Sequence, residues 1–402
     1  MTPLSKQEKI NSILQLAVSG LGLLFLLAAA AGSGIFSLLT GDSMGRAVSG
    51  ALDLFLPALL LLPAVTYSAR RLLGSDAGCA GVNPPWWISL LLLAWPPLLL
   101  ASAAVLRADE AVLEAGDPLL PLFSLTRFLT MLTLTAWASG LAAFHLPVMT
   151  PRRGWGLLSA GMLGGTLLAG LLEALLVTAL VVVGVLVMLL VPSLAERLLA
   201  LLETAAAQTD PSAVLQMLQP LLNSPLVIGL AFLLISLAVP LIEEAVKPAA
   251  LWLLKKEKLS PAQGFLGGLM CGAGFGLAEN LMSTNPLLGG DWLLVAVMRA
   301  GTTLLHMLAS GLVGLGLARW WSGGGFKHAA GGYLLAVGLH GAWNGLTLAL
   351  GLTLLQSGDL SPAAYAILGG MGLLTLACLG LLLRVNRDLR RAVPPVSSEN
   401  ML

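Results

Sequence analysis

The stretch Ser224–Leu254, SPLVIGLAFLLISLAVPLIEEAVKPAALWLL, decides how the chain is read. It is long enough to cross a bilayer as a helix and almost wholly apolar, yet it carries Glu243, Glu244 and Lys247 near its middle. An ionisable side chain at lipid depth is costly and needs a partner, a wet cavity or a reaction. The three apolar segments that follow carry Glu279 and Asn280, then Arg299 and His306, then His340 and Asn344. Carboxylates, imidazoles and carboxamides are the groups that activate water, so the pattern points to hydrolysis inside a membrane.

Composition sets the same frame. The 402 residues are 57% hydrophobic and 10% charged, and a soluble domain carries about a quarter charged residues. The apolar runs are continuous rather than alternating, which selects helices over a transmembrane barrel. The fold expected is therefore all-α, a polytopic transmembrane helical bundle. Its spans, about ten, fall near 13–39, 51–70, 86–106, 122–145, 156–191, 225–254, 262–283, 292–318, 329–355 and 362–383. The fifth and sixth are too long for straight crossings, and Pro240 and Pro248 offer kinks in the sixth. The first reads as a retained span, since its apolar core is long for a signal peptide.

On a ten-span path the basic clusters Lys6–Lys9, Arg70–Arg71, Arg152–Arg153, Lys255–Lys258, Arg319–Lys327 and Arg384–Arg391 share one side. The positive-inside rule then places both termini in the cytoplasm. We expect four regions: N-terminal helices of unassigned role over 1–150, a long span with an outer loop over 151–224, a catalytic core over 225–385, and a tail over 386–402. The loop opens with SLAERLLALLETAAA, an amphipathic pattern that suits the membrane interface. A net charge of +1 gives no reason to expect a nucleic-acid partner, and three scattered cysteines form neither a zinc motif nor a disulfide framework.

The polar residues divide into roles. Glu243 and Glu244 are about 100° apart on a helix, so only one faces a given point squarely. Lys247 is placed to pair with either, which suggests that one glutamate meets the reacting water while the other is held. Glu279 reads as a metal ligand or proton carrier, and Arg299 as the partner of Glu279 or of one of the paired glutamates. His306 and His340, with a carboxylate, would form a His2Glu zinc site that leaves one position for water. Asn344, on the face of His340, suits an oxyanion donor. A proton- or ion-coupled transporter, or a scaffold glued by polar contacts, would also bury such groups.

In order, Glu243-Glu244-x-x-Lys247, Phe275-x3-Glu279, Arg299-x6-His306 and His340-x3-Asn344 resemble the motifs of the PrsW family of bacterial intramembrane proteases. The motifs cover roughly 240–345. The resemblance implies a metal-dependent endopeptidase of the bacterial cytoplasmic membrane, with a membrane-spanning or membrane-associated protein, such as an anti-sigma factor, as substrate. It also implies kinship with the proteases that trim prenylated CaaX proteins. By that kinship Glu243 or Glu244 is the base and Asn344 the oxyanion donor. Glu279 stands where those relatives carry histidine, and Lys247 replaces a more distant arginine; both differences favour the PrsW pattern.

Overall fold

A computed structural model describes residues 5–74, 86–110, 117–146, 149–191, 223–284, 292–357 and 359–392, with scattered positions between 193 and 220. Most of the expected amphipathic loop, Cys79 and the end of the tail lie outside the described residues. The chain forms α1 (Lys6–Leu39), α2 (Met44–Leu59), α3 (Leu62–Leu72), α4 (Leu91–Glu110), α5 (Leu120–Ala143), α6 (Pro151–Ser159) and α7 (Thr166–Leu190). It continues through α8 (Pro225–Leu233), α9 (Val239–Val246), α10 (Pro261–Ser283), α11 (Trp292–Arg319), α12 (Phe326–Ser357) and α13 (Pro362–Arg391).

Among the described residues there is no strand, and nine helical stretches are long and apolar enough to cross a membrane. The protein is an all-α polytopic bundle. The stretch expected as a span at 122–145 is a helix, α5, but it carries Arg127 and several threonines and is not among these nine. Arg127 is buried, pairs with Asp53 at 2.6 Å and donates to the Leu281 carbonyl at 3.0 Å. One buried guanidinium thus fastens α2 and α5 to the end of α10. At the other end of the bundle, Asn11 donates to Glu257 at 2.7 Å, and Glu257 also pairs with Arg153. The first helices therefore brace the core at both ends.

The two overlong segments stay continuous but depart from α geometry along their length. Between α6 and α7 a π-helical turn spans Ala160–Gly165. In the sixth span a second π turn, Leu234–Ala238, separates α8 from α9, and from Lys247 to Glu257 the backbone tightens to a 3-10 helix. Proline explains both changes in the sixth span. Pro240 has no amide to give the preceding turn, and Pro248 has none to give the carbonyl of Glu244. Such departures from α geometry gather at functional sites, and here they flank the glutamate pair.

The centre of the bundle is α10 against α11. In the most apolar stretch of α10, 78% of residues are buried, against none in that of the α6–α7 segment. Ser260 and Gln263 cap the start of α10 reciprocally. Its glycines then let backbones touch: a Cβ at Gly272 would overlap the His306 carbonyl, and one at Gly274 the Leu158 carbonyl. We expect Gly272→Ala to push α11 outward, destabilise the protein by about 1–3 kcal/mol and lower activity by moving His306. Thermal unfolding of the purified variant beside wild type, with cleavage measured on the same samples, checks this.

Candidate active site

The site is built where α9, α10, α11 and α12 meet. The Lys247 ammonium is fully buried at its centre. It lies 2.7 Å from Glu243 Oε2, 2.7 Å from Glu244 Oε1 and 2.7 Å from His306 Nδ1. The ring of Phe275 covers it, with the nitrogen 4.3 Å from the ring centroid. A buried ammonium is tolerable only when its charge and protons find partners; Lys247 hydrogen-bonds to Glu244 and His306 and forms an ion pair with Glu243, whose Oε2 is poorly aligned for a hydrogen bond. One lysine therefore pairs with both glutamates at once.

Glu244 is the more deeply held of the two acids. Its Oε1 also faces His340 Nδ1 at 2.9 Å. Since that oxygen only accepts, His340 carries a proton on Nδ1, and its Nε2 lies 3.8 Å from Glu243 Oε2. Carboxylates commonly orient a working imidazole in this way. His306 is held through its ring the other way round. Its Nδ1 accepts from Lys247, leaving the proton on Nε2, 2.6 Å from Glu279 Oε2. That contact is close but poorly aligned, so neither atom has a good hydrogen bond. The rings of His306 and His340 meet edge to face with centroids 5.0 Å apart.

Side-chain exposure grades across the site. Glu244 and Lys247 are sealed, Glu243 is 10% exposed, and Arg299 and Glu279 are 22% and 30% exposed. Glu243 thus faces the open side and Glu244 the closed one. Arg299 Nη1 holds Glu279 Oε1 at 2.7 Å, and Asn280 donates to Thr303 at 2.7 Å, so α10 and α11 are joined by polar contacts as well as by glycine packing.

Among the described residues, Glu243, Glu244, His306 and His340 each place one ligand atom within 4.8 Å of those of the others. Carboxylate oxygens and imidazole nitrogens suit a divalent cation such as zinc, and Glu244 Oε2 is buried without a hydrogen-bond partner. The donor set therefore fits a metal, but three of its members already surround the Lys247 ammonium. Glu279, expected as a ligand, stands apart from this grouping because Arg299 occupies one of its oxygens and His306 Nε2 faces the other.

Asn344 is likewise apart. It lies one turn from His340, and its amide donates to the Ile235 carbonyl at 3.0 Å. In a π turn that carbonyl would look to the amide of residue 240, and Pro240 has none; Asn344 supplies the missing donor. The same side chain borders an open groove of about 370 Å³ with Ile235, Thr347, Leu348 and Gly351.

Two contributors escape the motif reading. Tyr333 donates its hydroxyl to the Leu241 carbonyl at 2.7 Å and steadies α9 just before the glutamates. Glu173, on α7, brings its carboxyl within hydrogen-bonding reach of Glu243. Its signal in the sequence is plain in retrospect: it is the single charged residue between Arg153 and Glu196.

A buried acid–imidazole cluster held by apolar, bilayer-length helices defines a multi-pass membrane enzyme. The model of the PrsW family intramembrane metalloprotease matches residues 161–369, more than half of the chain, and the chain belongs to that family. It is thus an intramembrane protease, and its substrate is a membrane protein. No curated protein and no solved structure matches it.

Proposed function

We propose that the protein is an endopeptidase of the bacterial cytoplasmic membrane that cuts a membrane-spanning protein with water activated by Glu243. The observation that supports this most is the continuous network from Glu243 through Lys247 and Glu244 to His340, with Glu243 alone of the paired acids on the open side. Glu243 takes the proton of the attacking water and returns it to the leaving amine. Glu244 fixes Lys247 and His340. His340 Nε2 accepts a hydrogen bond from the water and so orients it toward the scissile carbonyl. The carboxamide of Asn344 gives one N–H to Ile235 and keeps a second for the developing oxyanion in the adjoining groove. Arg299 and Glu279 together set the tautomer and tilt of His306.

Glu243, Glu244, His306 and His340 would hold the divalent ion that the family's description implies, zinc being the ion their donor chemistry suits. When bound, such an ion supplies a Lewis acid that lowers the barrier to water attack. An anti-sigma factor with a single transmembrane segment is the substrate class to test first.

The test is cleavage of such a segment by the purified protein in lipid vesicles. His340→Ala is expected to slow cleavage by about 10²–10⁴-fold while the protein still accumulates in membranes. Unchanged cleavage by His340→Ala would remove the hydrolytic reading of this cluster.

A further inference from the structure

We infer that Glu173 is a fourth carboxylate of the site, a positioning residue that acts through Glu243 to favour a divalent cation over the Lys247 ammonium alone. This rests on the hydrolytic reading of the cluster and adds to it a residue from outside the quoted motifs.

The placement follows from how three helices pack. Ala169 of α7, Val246 of α9 and Phe275 of α10 form a small buried apolar cluster. One helical turn from each stands a glutamate on the same face: Glu173 four residues after Ala169, Glu243 three before Val246, and Glu279 four after Phe275. The three carboxylates therefore leave one apolar knot in a common direction, and Glu173 meets Glu243 there. Glu173 Oε1 is buried and has no hydrogen-bond donor.

The rest of α7 gives no other reason for the acid. Leu171, Leu175 and Val177 around it are each more than half exposed on the bundle surface, where lipid lies, and the helix contains no second charge. A carboxylate on such a helix is expensive unless it serves a polar site. Charge supplies that site. Glu173, Glu243, Glu244 and Glu279 face two fixed cations, Lys247 and Arg299. When Glu173 and Glu243 are both ionised, two negative charges are left over, which one divalent ion balances. Without Glu173 a single negative charge would remain.

The experiment uses the full chain in lipid nanodiscs, with Zn²⁺ binding followed by calorimetry and Mn²⁺ binding by electron paramagnetic resonance. Glu173→Gln is expected to weaken both ions by about 10–100-fold. Glu203→Gln, an exposed acid of the connecting segment, is expected to bind as wild type does. In chelator Glu173→Gln should melt no lower than wild type, because the glutamine amide can still donate to Glu243 while the carboxylate–carboxylate repulsion is gone. Glu173→Asp should recover part of the affinity. Wild-type affinity in Glu173→Gln overturns the assignment, as does a wild-type protein that binds neither ion. Weakened binding in Glu173→Gln, with a wild type that binds zinc yet cuts no membrane substrate, supports the assignment and overturns the proteolytic reading instead.

Discussion

Glu243→Gln is expected to slow cleavage by about 10²–10⁴-fold and to leave the folded protein nearly as abundant as wild type. The carboxamide is isosteric and still offers an oxygen to Lys247, but it no longer accepts a proton from water. The neighbouring substitution should behave differently. Glu244 accepts from Lys247 and His340 inside a sealed pocket, so Glu244→Gln weakens a buried charge pair and puts an amide where only acceptors fit. Breaking such a pair costs about 3–5 kcal/mol when one partner is removed outright, and a melting temperature well below that of Glu243→Gln is expected. Measuring cleavage and thermal unfolding on both variants separates the two acids. Equal stability of the two, or cleavage by Glu243→Gln at close to the wild-type rate, would show that the closed and open carboxylates have been assigned the wrong way round.

The sequence carried the site further than it carried the backbone. Charges within oily segments are visible without coordinates, because lipid makes each one improbable. Placing Lys247 near both glutamates, and His306 near His340, follows from helical spacing and a shared depth. What spacing does not contain is the identity of the fourth wall. Glu173 sits by itself in a long apolar run, and its partners come from helices about seventy and a hundred positions away. Nor does a heptad or a hydropathy profile reveal a π turn. Asn344 looks like a free donor in LHGAWNG, yet its amide is drawn to Ile235 by a carbonyl that becomes available through the combination of that turn and Pro240. Glu279 was legible as an acid within an apolar segment, but its place outside the metal-type grouping depends on Arg299, two helical turns before His306, reaching it first.

Lys247→Met should produce the largest change in stability, and one that a metal reverses. The ammonium is the shared partner of Glu243, Glu244 and His306, all within 2.7 Å. A methionine of similar length leaves two adjacent carboxylates without a counter-charge in a pocket sealed on one side. Stranding buried charge in this way costs about 3–5 kcal/mol, so in chelator the variant should melt far below wild type. The same substitution frees the donors that Lys247 occupied. Zn²⁺ at a hundred times its dissociation constant would then return about 2.7 kcal/mol through binding to the folded state alone, and the melting temperature should climb with zinc concentration more steeply than in wild type. A chelator-treated Lys247→Met protein as stable as wild type would mean that the ammonium is not what neutralises the glutamate pair. A variant that is unstable but indifferent to zinc would show that the four donors cannot close on an ion even with the lysine gone, and the charge balance argued for Glu173 would fall with it.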